Sequence, residues 1–203
     1  GLDPKRIGDV IVGCAMPEGE QGMNVARIGL LLAGLPDSVP GMTVNRFCAS
    51  GVEAVARAAD RIRLGEADAI LAAGTETMTM IPMGGNKLAL NPEIFARDEN
   101  IGIAYGMGLT AEKVAEQWNI SREDQDAFAV ESHRRATAAI ANGEFRPEIL
   151  PYTVLERLPD HWTMQVQIRE RVVENDEGPR SDSRLQALAK LKPAFAARGS
   201  VTA

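Results

Sequence analysis

The sequence predicts an α/β fold, and three observations carry that prediction. Val10-Ile11-Val12 opens an apolar, β-branched run of the kind found in buried parallel strands. Between Met42 and Gly74 a strand, a helix and a second strand follow one another, which is a βαβ unit. From Met78 the composition changes to methionines, Pro82, paired Gly84-Gly85 and Asn91-Pro92, so a first domain is expected over residues 1–80 and a second over residues 81–203.

Gly1 to Arg6 is a turn, and a strand runs from Val10 to Cys14. Pro17 to Gly22 mixes turn residues with charge, and Met23 to Gly34 is rich in Ala and Leu, as a helix that Gly34 ends. Met42 to Phe47 is the next strand, Cys48-Ala49-Ser50-Gly51 a sharp turn, and a helix continues through Leu64 to Gly65. Val52, Val55, Ala59 and Ile62 recur at helical spacing, which predicts their face as the one covering the sheet. Ala67 to Gly74 returns as a buried strand.

A long irregular stretch then precedes a helix over Thr110 to Trp118. The following helix has Ser121 as N-cap, Glu123 and Asp124 in its first turn and Gly143 after its end, with Phe128, Ser132 and Ala136 along one face. Glu148 to Val173 is extended and partly exposed, Asp176 to Arg180 is a turn-rich loop, and a last helix covers Ser183 to Lys192.

Composition narrows the function. An apolar fraction of 45% and a charged fraction of 25% are ordinary for a soluble globular chain. No apolar run approaches the roughly 18–20 residues that span a bilayer. A net charge of −6 argues against nucleic-acid binding, which needs a basic face to displace counterions. Cys14, Cys48, His133 and His161 give neither a disulfide framework nor a metal-ligand cluster. Cys14 lies in a strand and belongs to the core; His133, beside Arg134 and Arg135, reads as a surface residue, and His161 as part of a loop.

Cys48 is the candidate for chemistry. At a strand-to-helix turn a cysteine faces the positive end of a helix dipole and nearby backbone N–H groups, both of which favour thiolate. Its small neighbours Ala49, Ser50 and Gly51 let a carbonyl approach the backbone, where the cysteine's own N–H could hold an oxyanion. The competing reading is a buried small hydrophobe, as free cysteines commonly are.

Asn45-Arg46-Phe47-Cys48-Ala49-Ser50-Gly51 resembles the acyl-accepting cysteine motif of the thiolase family. Gly13 to Arg27, Ala73 to Met78, Pro82 to Gly85, Met107 to Glu112, Ser121 to Ala129, Asp176 to Arg180 and Leu188 to Phe195 resemble further family segments in family order. The resemblance covers essentially the whole chain. Gly13 to Arg27 looks more like the degradative, 3-ketoacyl-CoA branch, as do Gly106 and Ala187 at positions where the biosynthetic branch carries His and Ser.

The resemblance implies a thiolase-like amino-terminal α/β domain, a mixed sheet flanked by helices, with an inserted loop domain that holds coenzyme A. It implies acyl transfer through an acyl-Cys48 intermediate, with acetyl-CoA acetyltransferase or a non-catalytic coenzyme A-binding protein as the alternatives. Coenzyme A and acyl-CoA would be substrates, with no tightly bound cofactor and no metal. Met107 would line the pantetheine channel, Arg180 would approach the adenine and phosphate end, and Phe195 and Ala203 would contact the ligand. The family assembles as homo-oligomers, dimers or tetramers, in the bacterial cytoplasm or a eukaryotic organelle matrix. Its first strand and helix, its Gly-His-Pro histidine and its second catalytic cysteine have no counterpart here, so the 203 residues alone are expected to turn over poorly or not at all.

Overall fold

The computed structural model describes residues 2–203. The chain divides into two compact units, one ending at Pro92 and the other running Glu93–Ala203.

In the first unit, three parallel strands, β1 (Asp9–Gly13), β2 (Gly41–Val44) and β3 (Ile70–Gly74), lie in the order β2-β1-β3. Val10 pairs with Gly41 on one side and Leu71 on the other. All five residues of the central strand are buried. Alternation along it explains the layers: Val10 and Val12 pack with Ala26, Leu30 and Val39, while Ile11 packs with Ala54 and Ala58. Helix α1 (Val25–Leu32) thus covers one face of the sheet and α2 (Ser50–Arg63) the other. Complete burial of a side chain such as Ile11 contributes about 1.5–3 kcal/mol.

Helix α1 starts two residues later than the sequence pattern implied. Met23 adopts a left-handed φ of 54°, and Asn24 caps the helix by accepting the Arg27 N–H at 3.2 Å. The Asn24 amide also donates to the Gly41 carbonyl at 2.7 Å, tying the helix start to β2.

The sheet-facing side of α2 differs from the one expected. Ser50, Ala54 and Ala58 are buried, whereas Val52 is 74% and Val55 58% exposed, and Ile62 is exposed as well. The cause is closeness. A Cβ on Gly13 would stand 2.5 Å from the Ser50 backbone, so the helix approaches β1 where only small side chains fit. The branched residues turn away from the sheet.

The segment from Met78 to Pro92 belongs with the first unit, and not with the second from residue 81. Ile81 is buried, and a Cβ on Gly19 would come 2.6 Å from its Cδ1. The Asn86 N–H donates to the Glu18 carboxylate, a second tie to the same loop.

The second unit contains α3 (Met107–Trp118), α4 (Arg122–Ala141), an antiparallel hairpin of β4 (Tyr152–Asp160) and β5 (Gln165–Val173), and a short α5 (Leu185–Leu188). Ser121 and Asp124 form a full capping box at the start of α4. The inward line of α4 runs through Asp126, Ala129, Val130, His133 and Ala136, while Phe128 is exposed. Asp160 accepts the N–H groups of Trp162 and Thr163 at the hairpin turn, at 2.9 and 3.3 Å. The hairpin is exposed over most of its length.

Helix α5 is shorter than the Ser183 to Lys192 span expected. The Arg122 guanidinium bonds the carbonyls of Leu188 and Leu191, and Pro193 cannot continue the helix. Among the described residues no helix is long and apolar enough to cross a membrane.

Candidate active site

Cys48 stands just beyond the carboxyl end of β2 and two residues before α2 begins. Its thiol is free and exposed, which removes the buried-hydrophobe reading. The turn that presents it is built by its neighbours. Asn45 Oδ1 accepts the Phe47 N–H at 2.8 Å, and Ser50 Oγ accepts the Arg46 N–H at 2.9 Å while donating to the Phe47 carbonyl at 2.6 Å. These bonds hold Phe47 at a φ of 48°, in the left-handed region that a bulky side chain seldom adopts. Beyond the end of β2 at Val44, the chain thereby turns one residue before the cysteine. Ala49, at the N-cap, has only a methyl group and makes no side-chain hydrogen bond to the first turn of α2.

Three loops are joined at this end of the sheet. The Asn45 amide donates to the Ala15 carbonyl at 3.0 Å, and Glu76 accepts the Ala15 N–H at 2.7 Å. Gln21, itself buried, bonds the Glu76 carboxylate, donates to the Met16 carbonyl at 2.9 Å and accepts the Thr77 N–H at 2.9 Å. The loops after β1, β2 and β3 are thus fixed to one another. The sequence alone assigns Gln21 and Glu76 no role, although both lie in thiolase-like segments, Gly13 to Arg27 and Ala73 to Met78.

Cys14 is the opposite case. It is 1% exposed, and burial pushes its thiol up, opposed by a backbone hydrogen bond at Met16 and assisted by the Glu76 carboxylate. It is a core residue, as expected.

The chain matches the family described as Thiolase, N-terminal domain, over residues 1–203. It belongs to the thiolase family. It is 46% identical over 199 residues to a 3-ketoacyl-CoA thiolase of Bacillus subtilis (strain 168), covering 97% of this chain and 50% of the relative. It is 43% identical over 204 residues to the peroxisomal 3-ketoacyl-CoA thiolase 5 of Arabidopsis thaliana, covering 100% of this chain and 44% of the relative. Among solved structures it is similar to the Bacillus anthracis acetyl-CoA acetyltransferase, with a TM-score of 0.79 and 36% identity, over 99% of this chain and 50% of that one. The chain therefore spans about half the length of these relatives. Its fold is that of a thiolase amino-terminal domain, with parallel pairing in the sheet of the first unit and antiparallel pairing in the hairpin of the second.

The four residues that the thiolase resemblance assigned to coenzyme A all lie in the second unit, and Cys48 lies in the first. Met107 is the first residue of α3 and is exposed. Phe195 packs its ring over the neighbouring Gly108, where a Cβ would come 2.0 Å from the ring, so these two segments of the thiolase pattern adjoin. Phe195 sits in a loop closed by the Ala194 N–H bonding the Val201 carbonyl at 3.0 Å. Ala203 follows that loop and is exposed; Arg180 is in the loop between β5 and α5.

Glu112 organises the Phe195 loop from α3. Its carboxylate accepts the N–H groups of Ser200 and Val201 at 2.9 and 3.0 Å, and Gln125 donates to Ser200 Oγ at 2.9 Å. A cavity of about 530 Å³ adjoins this arrangement, lined by Tyr105, Leu109, Glu112, Ala196, Arg198 and Ser200 among others; Met107 and Phe195 do not line it. His133, expected at the surface, is half-buried and bonded to the Arg180 loop. Among the described residues no cluster of His, Cys, Asp and Glu is suited to a metal.

Proposed function

We propose that this chain supplies the nucleophile and the coenzyme A-holding loops of a degradative thiolase, which cleaves a 3-ketoacyl-CoA with a second coenzyme A. The observation that carries the proposal is the exposed, free Cys48, in a turn built by Asn45 and Ser50, in a chain of this family. Cys48, its thiol proton passed to a base, attacks the C3 carbonyl carbon as the thiolate, and its own N–H holds the oxyanion. The C2–C3 bond then breaks, its electron pair leaves on the acetyl-CoA fragment, and that fragment takes a proton. The thiol of a second coenzyme A, giving up its proton, attacks the acyl-Cys48 thioester and releases the shortened acyl-CoA. These proton transfers need partners, which the family resemblance assigns to a Gly-His-Pro histidine that activates the nucleophile and a second cysteine that exchanges a proton with the substrate; neither is among these 203 residues.

Residues 93–203, the second unit, are proposed to form the coenzyme A-holding loop domain, with Met107, Arg180, Phe195 and Ala203 as contacts. The acyl group is drawn from fatty-acid β-oxidation, as the peroxisomal name of one relative supports. The working form is a homo-oligomer, in a bacterial cytoplasm or an organelle matrix. A second reading, acetyl-CoA acetyltransferase, draws support from the likeness to the Bacillus anthracis enzyme.

The test is the intact mass of the chain after incubation with acetoacetyl-CoA, followed by peptide mapping. An acetyl group on Cys48 establishes the nucleophile. Coenzyme A binding with no adduct replaces this reading with a non-catalytic binding protein. Comparing acetoacetyl-CoA with longer 3-ketoacyl-CoA substrates separates the two enzymatic readings.

A further inference from the structure

Between the end of β5 at Val173 and the start of α5 at Leu185 the chain runs without helix or strand, and Arg180 lies in that stretch. One bond ties it to a rigid element: the Arg180 N–H donates to His133 Nδ1 at 3.0 Å, across 47 residues of sequence. Because Nδ1 accepts, the ring proton of this imidazole resides on Nε2. His133 is half-buried on the inward line of the 20-residue helix α4, and its own carbonyl accepts the Thr137 hydroxyl at 2.8 Å.

Pro179 precedes Arg180, so the ring fixes φ immediately before the bonded amide. A restricted dihedral and an anchored N–H together set where the Arg180 side chain departs from the backbone. The guanidinium itself is exposed and has no carboxylate partner among the described residues. An arginine held by its backbone and unpaired at its head keeps all five donors of its planar guanidinium for an anionic group such as a phosphate, which that fork can bind bidentately.

We infer that His133 is a positioning residue: by accepting the Arg180 amide it holds that arginine in place to meet a phosphate at the adenine end of coenzyme A. The inference rests on the proposed role of Arg180 in coenzyme A binding. His133 touches no ligand; its effect passes through the backbone of the loop.

The experiment is a double-substitution cycle read by calorimetric titration of this chain with coenzyme A, using Arg180→Ala, His133→Ala, both together, and His133→Asn. Asparagine places an oxygen acceptor where the histidine has Nδ1. Removing the guanidinium should weaken binding about ten- to a hundredfold, the scale of a charge-assisted hydrogen bond. His133→Ala should weaken it about three- to tenfold, the scale of one neutral bond, and His133→Asn should recover most of that loss. With Arg180 already replaced, His133→Ala should change little, because its effect has no other route.

Effects that add independently, or no loss in His133→Ala while Arg180→Ala binds weakly, overturn the positioning role and leave the Arg180 reading intact. Unchanged binding in Arg180→Ala, or no coenzyme A binding by the unaltered chain, overturns the Arg180 reading and the inference with it. Thermal unfolding of each variant separates loss of the fold from loss of the contact.

Discussion

The turn that presents Cys48 and the loops of the second unit are held by different means. The turn itself is built locally, Asn45 and Ser50 bonding residues two to four positions away, with one further bond from Asn45 to Ala15 and with Gly13 letting the helix close on the strand. The loops carrying Arg180 and Phe195 are held at a distance, by His133 across 47 residues and by Glu112 across 88 and 89. A nucleophile set by its immediate neighbours keeps its geometry when remote segments change. Loops pinned by single side chains depend on those side chains one by one.

The largest effect should come from the nucleophile itself. Cys48→Ala should abolish the acyl adduct in mass spectrometry while leaving coenzyme A binding and the thermal midpoint nearly unchanged; an adduct that persists would place the chemistry elsewhere. Next is Gly13→Ala, which pushes a methyl group into the Ser50 backbone and should cost about 1–3 kcal/mol in denaturant unfolding, with slower Cys48 acylation. If acylation keeps its rate at that stability cost, the turn is less dependent on the strand contact than described.

Glu112→Gln tests the remote case. It keeps one acceptor oxygen but loses the charge that binds two backbone amides, and should weaken coenzyme A binding by a few-fold, about 0.5–1.5 kcal/mol, without changing acylation. Equal losses in both assays would merge the two modes of support.

The smallest effect concerns pH. Glu131 is held at about 2 by hydrogen bonds from Arg134 and then Arg135. A depressed carboxylate contributes stability that is present above its unfolded-state value, near 4.3, and is lost as pH falls toward 2. The Glu131 side chain is 41% exposed, so solvent screening keeps the contribution small. Glu131→Gln should make the acid limb of a thermal-midpoint profile slightly shallower between pH 5 and about 2, and leave the neutral plateau nearly unmoved.

The same contrast explains what could be read from sequence. Asn45, Cys48 and Ser50 fall within six consecutive positions, so the turn and its cysteine were legible together, as was the Ser121 cap, whose partner is three residues on. Bulk at Val52, Val55 and Ile62 points to the wrong face of α2, whereas close approach at Gly13 selects Ser50, Ala54 and Ala58. His133 looks like a surface residue in the sequence because Arg134 and Arg135 follow it and its partner stands far along the chain. Glu112 was hidden for the same reason. Helix α5 ended early through Arg122, a residue in another helix altogether.

The two cysteines also make the first unit its own gauge. Cys48 is open to a thiol reagent in the native state, while Cys14 sits beneath the sheet's loops with 1% of its surface exposed. A native sample should titrate one thiol quickly, and the second only as the central strand opens. The rate at which that second thiol reacts, followed against temperature or denaturant, counts openings of the parallel sheet without any added label.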